Sequence, residues 1–177
     1  MRNKQLKKLF EESSHFFATR DQLTGLYNRL FFDEYYLAEV NRVLNFINNN
    51  PNEEERQFFA VSLLEIANLA TINRQFGRAT GDKVLKQLAD NLNKLTFSRD
   101  IVSRYAGGKF AIIFINTNQS QEVKQKLEQI KAKLLAINNI DGRPLTLQLK
   151  LGSAFFEEDF IADDNFSLLA ACEAQIK

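Results

Sequence analysis

DIVSRYAGGKFAIIFI, residues Asp100 to Ile115, decides the fold. Two short apolar runs, Asp100 to Tyr105 and Phe110 to Ile115, flank Ala-Gly-Gly-Lys at positions 106–109. Runs of that length, rich in Ile, Val and Phe, suit strands rather than helices. A glycine pair supplies the turn between them, so the stretch predicts a β-hairpin. Upstream, Gln57 to Ile66 (QFFAVSLLEI) is nearly continuous in apolar residues, the pattern of a strand buried on both faces, and is expected to be the central strand. The Asn-rich, acidic stretch Asn48 to Glu55 before it reads as a surface loop. A short helix is predicted over Leu69 to Phe76, stopped by Gly77. Gly81-Asp82 then precedes a periodic helix through Val84, Leu85, Leu88, Leu92 and Leu95. Downstream, Gln121 to Ile137 reads as an amphipathic helix and Leu145 to Phe156 alternates like a strand. Phe166 to Ile176 starts a last helix expected to continue past Lys177. Strand, helix, helix, strand, strand, helix, strand predicts an α/β (α+β sandwich) fold, with helices flanking a mostly antiparallel central sheet.

Toward the N-terminus, Asn28 opens a helix carrying Leu30, Phe31, Tyr35, Leu37 and Val40 to about Asn49, and Asp21 to Gly25 is a turn. Leu6, Phe10, Phe16 and Phe17 recur at helical spacing, so residues 1–19 are expected to form a leading amphipathic helix that could pair with a partner helix. Residues 20–177 are read as one domain. The length of 177 residues fits one domain with a short extension, and 45% hydrophobic with 25% charged residues is a globular composition. Sixteen Phe and no Trp predict a phenylalanine-rich core.

The charge balance, 23 basic against 22 acidic residues, argues against a nucleic-acid or anionic-membrane partner. No run approaches the roughly 18 apolar residues of a membrane span, and the polar Met1 to Ser14 does not resemble a signal peptide. A cytoplasmic location without membrane contact is therefore expected. The single cysteine, Cys172, excludes an internal disulfide and a CxxC zinc site, and is predicted to be a small buried helical residue. His15 has no metal-ligand partner three or four residues on and reads as structural or solvated.

The stretch Asp21-Gln-Leu-Thr-Gly-Leu-Tyr-Asn-Arg29 resembles the DxLTGLxNR signature that opens GGDEF domains, matching seven fixed positions in nine. Leu64-Glu-Ile-Ala-Asn-Leu-Ala-Thr-Ile-Asn73, Phe76-Gly77 and Gly81-Asp82 fall on the family pattern DIDxFKxINDxxGHxxGD with matching spacing. Arg104-Tyr-Ala-Gly-Gly-Lys-Phe110 falls on RYGGDEF, and Leu151-Gly152 on the closing strand. The resemblance runs from about Ala18 to the end of the chain. It implies a nucleotidyl-cyclase-like βααββαβ fold. It also implies the family's reaction, in which two GTP-loaded domains meet and the 3'-hydroxyl of one nucleotide attacks the innermost phosphate of the other.

Such phosphoryl transfer depends on Mg²⁺, a hard cation held by oxygen ligands beside the substrate phosphates. By resemblance, the ligands are an acid at the end of the central strand, the next residue's carbonyl, and the acidic third residue of GGDEF. Those positions are here Glu65, Ile66 and Gly108. The fourth motif position, normally Glu, is Lys109, whose ammonium repels a divalent cation by several kcal/mol at a few ångströms and an effective dielectric of about 20. Ala106, Gly107 and Phe110 fill the remaining motif positions; sliding the glycine pair by one would make Lys109 third, and either register lacks the acid. Ala67 and Ala70 replace a further Asp and Lys of the pattern. The motif is therefore read as degenerate, with no catalytic residue and no Mg²⁺ expected.

Asn73 and Asp82 match the family's guanine-binding positions, where an amide and a carboxylate pair with the base. GTP is thus the one nucleotide the resemblance leaves in play. Each residue also has a structural reading: Asp82 as a helix N-cap after Gly81, and Asn73 as the end of the short helix. The family's RxxD inhibitory motif is not expected to function, since Phe97 stands in its Arg position before Asp100. Three functions remain open. One is a non-catalytic regulatory module that contacts a protein partner, a neighbouring domain such as a cyclic di-GMP phosphodiesterase domain, or a second copy in a homodimer. The others are a GTP-binding allosteric sensor without turnover and an active cyclase with an unusual site.

Overall fold

The computed structural model describes residues 18–49, 58–117, 120–156 and 168–176. Helix α1 (Arg29–Asn49) precedes strand β1 (Phe58–Ile66), which leads through α2 (Leu69–Phe76) and α3 (Arg78–Leu95) to the hairpin β2 (Ile101–Ala106) and β3 (Lys109–Thr117). Helix α4 (Ser120–Leu135), a ribbon of β4 (Asn139–Ile140) and β5 (Arg143–Pro144), strand β6 (Leu149–Phe155) and helix α5 (Leu168–Gln175) complete the chain. The predicted βααββαβ order holds, and β1 is central as expected: the sheet runs β2-β3-β1-β6, with every pair antiparallel.

Alternation along β1 explains its continuous hydrophobicity. Ala60 and Leu64 face one layer, where Leu88 and Leu92 of α3 and Ile130 and Leu134 of α4 are buried. Phe59, Val61 and Leu63 face the other, against Phe32 and Val43 of α1 and Leu168 and Cys172 of α5. The sheet is antiparallel yet covered on both sides, so the apolar run reports two-sided burial and not strand direction. Cys172 is buried as predicted. Its thiol donates to the Val61 carbonyl at 3.3 Å, and burial pushes its pKa up to about 12.

At the start of α1, the Asn28 side chain accepts the Phe31 amide at 3.0 Å, an N-cap where the sequence placed one. The leading-helix prediction lies outside the described residues apart from Ala18 and Thr19, which are helical, and His15 lies outside them too. Asn48 and Asn49 belong to α1 rather than to the predicted loop; residues 50–57 lie outside the described set.

The structure corrects two boundaries. Helix α3 starts at Arg78, not after Gly81-Asp82. The break falls at Gly77 (φ +86°), whose carbonyl already accepts the amides of Thr80 and Gly81. Gly81 lies inside the helix because α2 approaches it there: a Cβ at that position would collide with the Asn73 side chain. Strand β6 starts at Leu149, not Leu145. Residues 145–148 run beside the chain after β1, held by Asn68, whose amide donates to the Thr146 carbonyl (2.8 Å) and accepts the Gln148 N–H (2.9 Å). The β4–β5 ribbon was not anticipated, although its turn, Asp141 (φ +51°) and Gly142 (φ +78°), carries the Asp-Gly signal of a two-residue hairpin.

Helix α5 lies directly on β6. A Cβ on Gly152 would run into the backbone carbonyl of Cys172, and the Gln175 side chain bonds both the amide and the carbonyl of Ser153, at 3.0 and 2.9 Å. Gly152→Ala is accordingly expected to destabilise the domain by about 1–3 kcal/mol, because the obstacle is backbone rather than a movable side-chain end. A thermal melt reads this as a fall of about 2–4 °C per kcal/mol. An unchanged midpoint would mean that α5 does not rest on β6 as described.

Candidate functional site

The hairpin turn is Gly107-Gly108, with Ala106 paired to Lys109 across it and Gly107 at φ +52°. Four hydrogen bonds hold this turn in place. The Gly108 carbonyl accepts the Ile66 amide at 3.0 Å, fixing the turn to the end of β1. Arg104 Nε donates to the Gly107 carbonyl at 3.1 Å, and Arg104 Nη1 donates to both carboxylate oxygens of Asp21 at 3.2 Å. Asp21 also accepts the amide (2.9 Å) and hydroxyl (2.7 Å) of Thr24. Burial acts to raise the Asp21 pKa, but the Thr24 bonds and the Arg104 guanidinium outweigh it and hold the carboxyl below its usual range. The first signature loop is therefore a strut for the hairpin turn. Sequence reading recognised Asp21 and Arg104 only as motif positions; the Asp-x-x-Thr turn pattern was the local signal for the first of them.

The predicted motif residues come together. Lys109 is the ladder partner of Glu65 on one side, and Lys150 is its partner on the other. Directly opposed residues share a face, about 4.5–5.5 Å apart at Cβ, so Lys109, Glu65 and Lys150 form a row across three strands. The Ile66 carbonyl lies beside Gly108, 3.4 Å from where a Cβ there would stand. That Cβ would also sit 3.0 Å from Leu69 Cδ2, so Leu69 walls the turn. Phe110 is buried in the core next to Lys109. Among the described residues, no three His, Cys, Asp or Glu side chains lie together as a metal site would need.

Asn73 and Asp82 lie on α2 and α3, where the Asn73 side chain packs against Gly81, the residue before Asp82. Neither has the structural role the sequence offered as an alternative. Asp82 is the fifth residue of α3 and exposed, not an N-cap; Asn73 is inside α2, three residues before its end. Asn73 Oδ1 is buried against Gly81 and has no hydrogen-bond partner among the described residues. Ala67 and Ala70 are exposed near the turn and add no polar group.

Asp100, by contrast, serves its own loop. Its carboxylate accepts the amides of Phe97 (2.9 Å) and Ile115 (3.4 Å). Burial raises its pKa, with those two amides pulling the other way. Phe97 is exposed between Arg99, whose guanidinium is 4.8 Å from the ring centre, and Lys126, at 4.7 Å.

Comparison with known proteins agrees with this geometry. The family model described as "Diguanylate cyclase, GGDEF domain" matches residues 18–166. The chain is similar to diguanylate cyclase DgcP of Pseudomonas aeruginosa, 30% identical over 141 residues that make up 79% of this chain and 20% of DgcP. It is also similar to the cyclic di-GMP phosphodiesterase NbdA of the same organism, 25% identical over 142 residues, 80% of this chain and 17% of NbdA. The chain thus spans a fifth or less of these two relatives. Among solved structures, the coiled coil and GGDEF domain of DgcB from Caulobacter crescentus, in complex with c-di-GMP, matches with a TM-score of 0.74 and 22% identity over 98% of this chain and 86% of that one. That likeness is one of fold.

The strut can be tested by pH. Because the folded pKa of Asp21 is depressed, its contribution is fully present above the unfolded value of about 3.9 and is lost as pH falls through the lower folded value. Asp21→Asn is expected to lose about 1–3 kcal/mol at neutral pH. Urea midpoints of variant and wild type should then converge as pH falls below the unfolded value of about 3.9 and through the lower folded one. A gap of constant size across that range would count against the carboxylate as the strut.

Proposed function

The chain belongs to the GGDEF family of diguanylate cyclase domains, and from that premise we propose that it acts in cyclic di-GMP signalling as a regulatory domain that does not itself condense GTP. The observation that carries this reading is the pairing of Lys109 with Glu65 at a hairpin whose third motif residue is Gly108. A cyclase site needs carboxylates to hold Mg²⁺ against the phosphates. The residues here do not fit that ion: Glu65 and the Ile66 carbonyl are two oxygen donors, Gly108 offers no side chain, and Lys109 brings a positive charge to the same row. The family's ordinary activity is synthesis, as in DgcP. The departure from it rests on these positions alone.

A domain without turnover signals through contacts. The candidates are a protein partner, a neighbouring domain such as a phosphodiesterase domain, or a second copy, with the leading helix as one route. Two likenesses support them: DgcB pairs its GGDEF domain with a coiled coil, and NbdA, a phosphodiesterase, contains a segment similar to this chain. A second reading, a GTP sensor, is favoured by Asn73. Its buried, unpartnered Oδ1 leaves a polar group unsatisfied at a cost of about 1–3 kcal/mol, which a ligand N–H reaching it would relieve.

The experiment is a thermal melt with and without millimolar GTP and Mg²⁺, followed by chromatography of the same samples for cyclic di-GMP. The regulatory reading expects no product, no Mg²⁺-dependent shift and the same absence of a response to GTP in wild type and Asn73→Ala. GTP at about a hundredfold over its dissociation constant would stabilise by about 2.7 kcal/mol, several degrees; such a shift without product, abolished in Asn73→Ala, would transfer the conclusion to the sensor. Product would overturn both.

A further inference from the structure

An open cleft of about 680 Å³ lies between α2 and residues 138–148, within the size range of about 300–1,000 Å³ typical of small-molecule sites. Its α2 wall is built from positions 68, 71, 72, 75 and 76, which repeat at i, i+3, i+4, i+7 and i+8 and so form one face of the helix. Asn73 falls off that face, packed on Gly81. Neither Asn73, Asp82 nor any residue of the hairpin is among the residues that line the cleft.

In a chain with a quarter of its residues charged, no ionisable side chain is among the described residues that line it; Arg74 and Arg143 stand behind the lining and donate to the Thr71 hydroxyl and the Phe76 carbonyl, both at 3.4 Å. The floor is apolar, from Ile72, Phe76 and Leu145. The polar groups are carboxamides and hydroxyls, and they divide into two sets. Asn68 is used up in holding residues 146–148, Asn139 Oδ1 accepts the Gly142 amide at 2.8 Å, and the Thr71 hydroxyl accepts from Arg74 Nη2 at 3.4 Å. The side chains of Gln75, Asn138, Thr146 and Gln148 are exposed and make no hydrogen bond among the described residues. A fixed frame thus presents four unspent polar groups around an apolar floor.

Those features select a ligand class. A phosphate or an ammonium would meet no counterion among the lining residues, and the arginine nitrogens that reach those residues are already bonded to the Thr71 hydroxyl and the Phe76 carbonyl. A purely apolar ligand would strip water from four polar side chains and leave them unmatched, at about 1–3 kcal/mol for each one fully buried. A sugar ring satisfies both parts: its hydroxyls donate and accept, as do carboxamides, and its C–H face rests on the floor. We propose that this cleft is a binding site for a neutral, polyhydroxylated ring, either a free saccharide or the ribose of an uncharged nucleoside.

The test uses the ¹⁵N-labelled chain and follows the side-chain NH₂ signals of Gln75, Asn138 and Gln148 during titration with cellobiose and, separately, with inosine at millimolar concentration. Saturable shifts in these three signals are expected with at least one probe. Cellobiose moving them identifies a saccharide site, and inosine alone a nucleoside site. The Asn138→Leu/Gln148→Leu variant changes only exposed side chains and is expected to weaken binding by about tenfold or more, with the backbone spectrum reporting that it remains folded. The proposal is overturned if neither probe moves the signals, if the double variant binds as wild type does, or if inosine shifts only the Asn73 signal.

Discussion

A single ion pair, Asp21 with Arg104, fixes where the hairpin turn sits relative to the rest of the domain. Both side chains are mostly buried, 23% and 18% exposed, and the contact is made by one guanidinium nitrogen to two carboxylate oxygens. A planar guanidinium can spend its remaining N–H groups elsewhere, and Nε does so on the Gly107 carbonyl. Lysine could supply the charge but not that second, geometrically fixed bond. The same loop extends the constraint through backbone, because Tyr27 accepts the Arg104 amide at 2.9 Å and donates to the Val102 carbonyl at 3.2 Å. Tyr27 thereby occupies the open edge of β2, which would otherwise present unpaired groups to solvent. The outer strand, its turn and the start of α1 are held as one unit.

From that unit the constraint passes inward. The turn carbonyl of Gly108 bonds to Ile66, Ile66 ends the central strand, and the next amide, Ala67, is taken by Gln148 at 2.7 Å. Two glycines then allow helices to come closer than a side chain would permit: Gly81 for α2 on α3, Gly152 for α5 on β6. None of these contacts involves a group that phosphoryl transfer would require. The scaffold is therefore maintained by interactions independent of phosphoryl-transfer chemistry, and a turn built from Gly107, Gly108 and Lys109 gives the fold no reason to change.

Much of this was legible in the sequence because it rests on local rules. The hairpin follows from a glycine pair between apolar runs, the N-cap from Asn28, and the short α2 from its boundary at Gly77. The start of α3 was misread for a tertiary reason. Gly81 resembles a helix breaker, but its lack of a Cβ serves Asn73 of the neighbouring helix, a contact that no spacing within α3 encodes. The start of β6 was misread because Leu145 and Leu147 keep the alternation of a strand and are buried, while their ladder partner has already ended at Ile66. At the candidate site, the motif positions were readable one by one. The row formed with Lys150 was not, since it depends on the register of β6 against β1.

That row bears on why the substitutions at the turn belong together. Opposed carboxylates at the end of two paired strands repel one another, and a divalent cation is the usual remedy for such an arrangement. Removing only the acid at position 108 would leave Glu65 facing whatever acid stood at 109, with the repulsion intact and a poorer metal site to relieve it. With Lys109 on one side and Lys150 on the other, Glu65 has cationic ladder neighbours on both strands. The end of the sheet then carries one carboxylate flanked by two lysines, not a pair of facing acids. Under the regulatory reading, Gly108 and Lys109 are two halves of one change: the first withdraws a ligand, and the second supplies the charge that the ion would have brought.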